Sequence, residues 1–167
     1  EWYEATYRDD LSQVYALLAY HWNLTDQAIT AVEYLEKAGT QAVRNFANRE
    51  AVELLSAALL RANQAKLKSE ASRRAEWELL LGEAYVNLAE YLKGRQHLEI
   101  GLSLFGQAVP HTWPGELIGI FTLALQQLLH RLLPSFFVGR FASQQANLLA
   151  ASRACERLVE VYYITSE

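Results

Sequence analysis

Apolar side chains along this chain recur every three to four residues. Leu11, Val14, Tyr15, Leu18 and Trp22 share one face of a helix, and Trp77, Leu80, Leu81, Ala84, Tyr85 and Leu88 share another. The period is helical rather than two, which predicts seven or eight helices and no strand. A second pattern overlies the first. Leu18-Ala19-x2-Trp22 is followed by Ala31-x3-Leu35-x2-Ala38, and Leu81-Gly82-x2-Tyr85 is followed by Gly94-x3-Leu98-x2-Gly101. In each copy small residues flank larger ones at fixed gaps, so two helices can pack closely through them. A unit of this kind stacks on its neighbours and builds a surface for partners; it is not a catalytic site. Between the two copies, Ala38-Gly39 and then Ala51-x3-Leu55-x2-Ala58 read as a degenerate third, compressed, with a short first helix and a regular second one.

Breaks between helices are marked less uniformly. Turns are expected at Thr25-Asp26-Gln27 and at Leu88-Ala89-Glu90-Tyr91, and Arg61 to Glu70, linking the second and third units, is expected to be a longer loop or extended helix ends. Gly39 and Gly106 suit helix ends, Pro110 and Pro114 a break followed by a new start, and Pro134 a stop. Residues 116–133 depart from the repeat. Leu117, Ile118, Ile120, Phe121, Leu123, Leu125, Leu128, Leu129, Leu132 and Leu133 leave only a narrow polar stripe. A membrane span needs about 20 uninterrupted apolar residues, and Gln126-Gln127 and His130-Arg131 break this run. It reads as a helix buried over most of its circumference, or as an interface helix backed by Phe136, Phe137 and Phe141.

The spaced small and large positions resemble the tetratricopeptide repeat, whose unit is about 34 residues. The resemblance implies an all-α fold, a right-handed superhelix of antiparallel helical hairpins, forming one domain over residues 1–167. More narrowly, Leu17-Leu18-Ala19-Tyr20-His21-Trp22, Ala31 to Gly39 and Phe46 to Ala51 are similar to helical regions that follow predicted ATPase modules in large bacterial signalling proteins. Leu128 to Pro134, Phe137 to Arg140 and Ala154 to Tyr163 fit the same group. The likeness implies a regulatory scaffold within a larger cytoplasmic protein, working through protein partners or neighbouring domains. It carries no enzymatic module onto these residues.

Composition narrows the picture. The 167 residues, 51% apolar and 20% charged, suffice for one continuous core. A net charge of −4 argues against a general nucleic-acid binder, which needs a basic face to displace counterions. One cysteine, Cys155, excludes an internal disulfide and suits a reducing compartment such as the cytoplasm. No basic segment followed by an apolar stretch opens the chain, as a signal peptide would require. The absence of methionine suggests a piece of a longer array.

Candidate chemistry is sparse. There is no phosphate-cradling glycine loop with Lys-Ser/Thr, no His-Glu-x2-His and no cysteine pair for zinc, so no catalytic, cofactor or metal residues are assigned. His21, His97, His111 and His130 share no helical i, i+3 or i+4 spacing. Cys155 reads as a buried packing residue, since reactive thiols need an electropositive setting. Glu76 with Glu78, and Glu156 with Glu160, do not form catalytic pairs: residues two apart point to different faces, and glutamates four apart are common on solvated helices. Arg61, Lys66, Lys68, Arg73 and Arg74 read as a solvated linker. The repeat phase assigns Ala16, Tyr20, Asn23, Glu76, Leu79, Glu83 and Asn87 to a concave partner surface. Tyr20 and Glu83 stand where receptors of peptide carboxylates carry Lys or Arg with Asn, which disfavours that class. A homodimer through residues 117–141, with Phe136, Phe137 and Phe141 at its centre, is the alternative. No nucleic acid, membrane or cofactor is expected.

Overall fold

A computed structural model describes residues 11–67, 71–107 and 145–165. Every regular element among them is helical. A 3₁₀ turn, Leu11–Val14, runs into α1 (Tyr15–Asn23); α2 (Ala28–Arg44), α3 (Asn48–Gln64), α4 (Ala71–Asn87), α5 (Tyr91–Leu104) and α6 (Gln145–Thr165) follow. The described residues thus hold six α-helices. Residues 117–133, Pro110, Pro114, Pro134, His111, His130, Phe136, Phe137 and Phe141 lie outside the described residues, so neither the apolar helix nor the dimer face expected there is addressed by the structure.

The turns expected at 25–27 and 88–91 separate α1 from α2 and α4 from α5. The middle copy differs from its expectation. Its first helix is not short: α2 runs unbroken from Ala28 to Arg44, and Gly39 lies inside it, buried. A Cβ at Gly39 would stand 2.7 Å from Leu55 Cγ, so the glycine lets α3 approach rather than ending α2. The apparent compression follows from one helix serving two partners. Tyr34, Leu35 and Ala38 pack with Val14, Leu18 and Ala19 of the preceding segment, whereas Val32, Ala42 and Val43 pack with Ala51 and Leu55 of α3.

The hairpin α2/α3 recurs as α4/α5 at a constant offset: Gly82 follows Gly39 by 43 residues, Ala89 follows Phe46 by 43, and Leu98 follows Leu55 by 43. Equivalent positions do equivalent work. Phe46 and Ala89 hold left-handed angles of φ 58 and 59. At each, the next residue donates its N–H back into the last helical turn, Ala47 to Ala42 and Glu90 to Tyr85, both 2.9 Å. These bonds satisfy the carbonyls that a helix end leaves open and reverse the chain. The second hairpin is antiparallel, as its close approaches show: a Cβ at Gly82 would meet Leu98, and one at Gly94 would meet Val86 and the Gly82 carbonyl.

Three apolar clusters line up along the array. The one formed with α1 is followed by one that joins Val32, Ala51 and Leu55 to Trp77, Leu81 and Ala84. The last joins Leu79, Val86, Leu98 and Leu102 to Ala151, Ala154, Leu158 and Val161, the inward stripe of α6. α6 therefore packs across both α4 and α5. The basic residues of the expected linker mostly clamp helices together instead. α3 continues to Gln64, so Arg61 is helical and donates to the Thr25 carbonyl. Arg74 donates to Asn63 Oδ1 at 2.6 Å. Arg73 reaches back to Glu36 of α2, its Nε at 2.8 Å, and lies over the Trp77 ring. Lys66 is exposed, and Lys68 is outside the described residues. Among the described residues no helix is long and apolar enough to cross a membrane.

Candidate functional site: a groove among α2, α4 and α6

Because α6 lies across the second hairpin, its middle turns, Ala150 to Glu160, stand opposite one edge of α4. The space between them is a groove of about 660 Å³, bounded by Thr40 of α2, by Glu76, Leu80 and Glu83 of α4, and by Arg153, Glu156, Arg157 and Glu160 of α6. Leu79, Leu98, Ala150 and Ala154 line its apolar floor. Leu79 and Leu98 belong to the core beneath, so the floor is set by the packing that places α6.

The charges of this groove are unevenly satisfied. Arg157 donates to Glu160 at 2.9 Å. Among the described residues Glu76, Glu83, Glu156 and Arg153 make no hydrogen bond and no ion pair. Glu76 keeps one side in water and loses water on the other, and that desolvation, reinforced by the charge of Glu36 and opposed by Arg73, pushes its carboxyl above the ordinary value.

Of the surface residues expected from the repeat phase, Glu76, Leu79 and Glu83 come together in this groove. Asn87 lies beyond it and donates from Nδ2 to Asn48 Oδ1 at 3.2 Å, linking α4 to α3. Ala16, Tyr20 and Asn23 are exposed on α1 and do not line the groove. Thr40, Arg153 and the α6 acids escape a reading based on the first helices of repeat units. Their signal is the spacing Ala151, Ala154, Leu158, Val161, which sets the phase of α6 and carries Arg153, Glu156, Arg157 and Glu160 to its flanks.

Two polar networks lie between helices elsewhere. Glu78 Oε2 meets His97 Nδ1 at 2.6 Å, and the His97 ring stacks on Tyr85 with centroids 5.2 Å apart. Glu76 and Glu78 thus face different ways, as their spacing requires. On α5, Arg95 Nε donates to Glu99 Oε1 at 2.8 Å, the Tyr162 hydroxyl of α6 donates to the same oxygen at 2.6 Å, and the guanidinium lies over the Tyr162 ring. Burial first, then the bond to Glu99, pushes the Tyr162 phenol up and keeps it a donor. This network pins α6 to α5.

Cys155 corrects its expectation: it is exposed on the outer side of α6, not buried. Partial desolvation pushes its thiol up, away from the thiolate that a nucleophile needs. His21 is exposed on α1. Among the described residues no group of three His, Cys, Asp or Glu side chains is placed to hold a metal ion. No protein-family model, curated protein or solved structure matches the chain.

Proposed function

We propose that this chain is a non-enzymatic protein-interaction module, a tetratricopeptide-like helical array that takes a segment of a protein partner in the groove among α2, α4 and α6. The observation that carries this reading is the groove itself: about 660 Å³ over an apolar floor, with unpaired charged side chains on its walls. Apolar floors supply the burial that drives association, and a few placed polar groups set orientation and choice of partner. The recurrence of the hairpin at a constant offset supports the likeness to stacked helical repeats, which bind through the faces that stacking leaves open. The placement of the module in a larger signalling ATPase rests on the resemblance of the α1 to α3 and α6 segments to helical regions of such proteins. Fold restricts the style of recognition without naming the partner.

Site-specific photo-crosslinking tests the reading. A benzophenone amino acid at position 83 is expected to capture a protein partner from a lysate of the source organism. Thr40→Trp, which fills the groove, is expected to abolish that capture while leaving helicity unchanged. Capture from position 20 that survives Thr40→Trp would move the contact surface to α1.

A further inference from the structure

We infer that the occupant of this groove is a cationic segment of a partner protein, carrying two Lys or Arg side chains about 10 Å apart on either side of an apolar one. The inference rests on the docking reading above and adds the chemistry of the ligand.

The charge balance of the walls decides the sign. α4 carries three carboxylates, and Glu78 is already engaged by His97. Glu36 of α2, behind Glu76, is engaged by Arg73. Among the described residues Glu76 and Glu83 are the α4 carboxylates with no hydrogen bond or ion pair, and both line the groove. On the α6 wall Arg157 and Glu160 neutralise one another, leaving Glu156 and Arg153. Among the described residues, three carboxylates without an ion pair thus oppose one such guanidinium. An anionic segment would meet repulsion from three groups and attraction from one; for a cationic segment the balance reverses.

Spacing decides the pattern. Glu76 and Glu83 are two turns apart on one face of α4, about 10 Å along its axis at 1.5 Å per residue. An extended segment turns alternate side chains to one wall, so the two cations that reach the glutamates stand at i and i+4, about 13 Å apart along the backbone, and their flexible stems take up the difference. Between the two glutamates lie Leu79 and Leu80, with Leu98 beneath, so the side chain between the two cations is apolar. The state of Glu76 fits this occupant: a cation beside it supplies the counter-charge that its neighbour Glu36 opposes. Glutamates paired with flexible cations at a half-wet groove give specificity and a salt-dependent affinity more than raw strength.

A random dodecapeptide display library selected on the full 167-residue chain is the test, with the groove-filled Thr40→Trp chain as counter-selection. The expected pool is cationic, with Lys or Arg four residues apart around a central apolar residue. Its best member, measured by fluorescence anisotropy, should bind more weakly as salt rises and lose about tenfold in affinity to Glu76→Gln with Glu83→Gln. Circular dichroism of each variant is the control that these near-isosteric changes leave the helices intact. An acidic pool whose binding falls with Arg153→Gln, and not with the glutamate changes, would overturn the charge assignment and leave the docking reading standing. No pool enriched over the filled groove would overturn both. A dimer of the chain that dissociates on Thr40→Trp would seat a second copy in the groove and overturn the assignment as well.

Discussion

Among the described residues three other than glycine, Phe46, Lys66 and Ala89, hold left-handed backbone angles where helices end. A Cβ in that conformation costs roughly 1–2 kcal/mol, which glycine escapes. Ala89 is exposed, so Ala89→Gly removes little packing. It is expected to raise stability by about 1 kcal/mol in chemical denaturation, although the new glycine gives part of the gain back to the unfolded chain. A loss of stability would mean that the Ala89 methyl contributes packing that outweighs its strain. Glu76 sits on the opposite side of the ledger, a residue whose placement works against the fold. Its carboxyl is raised above the ordinary 4.5, so the folded chain holds that proton more tightly than the unfolded chain does. The ionised form therefore opposes folding at neutral pH; the penalty fades as pH falls through the raised value and is gone below the ordinary one. Glu76→Gln is expected to raise the thermal midpoint at pH 7, with no gain near pH 4; an equal gain at both would assign the effect to something other than charge. At this scale the sequence was readable where a residue type has one use. Gly106, with φ 77, ends α5 as a glycine there should. Gly39 misleads because the same absence of a Cβ also serves close packing, and nothing in a single position separates the two.

Among the elements, the two hairpins share a plan and differ in how closely their helices approach. Where α5 has Gly94 and Gly101, the equivalent positions of α3 are Ala51 and Ala58. A Cβ at Gly94 would stand 3.1 Å from the Val86 nitrogen and 3.2 Å from the Gly82 carbonyl oxygen, and backbone cannot step aside as a side chain can. At Gly39 the nearest backbone atom is 3.4 Å away, and the close contacts are with the Leu55 side chain. Gly94→Ala is therefore expected to cost about 2 kcal/mol, even after the helix preference of alanine is counted. Gly39→Ala is expected to cost measurably less, and equal losses in paired thermal melts would contradict the difference in approach. The latch on α6 belongs here too. Tyr162→Phe removes the phenol from Glu99 and is expected to cost about 1 kcal/mol, with faster amide exchange along α6 and little change in α2 and α3. The helical period and small-residue spacing made α1, α2, α4 and α5 and their turns legible beforehand. They did not show that α2 is continuous, because a helix with two faces in use looks, in one dimension, like two overlapping repeats.

For the whole molecule, the groove depends on a helix far along the chain meeting the second hairpin. Periodicity states which face of α6 is apolar, through Ala151, Ala154, Leu158 and Val161, but not which neighbour that face will cover. That meeting is why half of the lining, from Ala150 to Glu160, escaped a repeat-based reading, whereas Glu76, Leu79 and Glu83 were anticipated from α4 alone. It also separates Tyr20 from Glu83, which the repeat phase had set on one surface. Tyr20, 63% exposed, lies on α1 and outside the groove lining, so Tyr20→Ser is expected to leave groove binding unchanged. The carboxylates that make no ion pair among the described residues give the groove its character: no hydrogen bond there ties them to a neighbouring helix, and they face the open groove. At 18.9 kDa, the chain is within reach of residue-by-residue amide spectra, and the most direct measurement is a two-dimensional NMR titration with the best cationic dodecapeptide. Shifts confined to residues around Thr40, Glu76 to Glu83 and Ala150 to Glu160, and absent in Thr40→Trp, are the predicted result. Shifts centred on Tyr20 and Asn23, with the groove residues unmoved, would contradict the account.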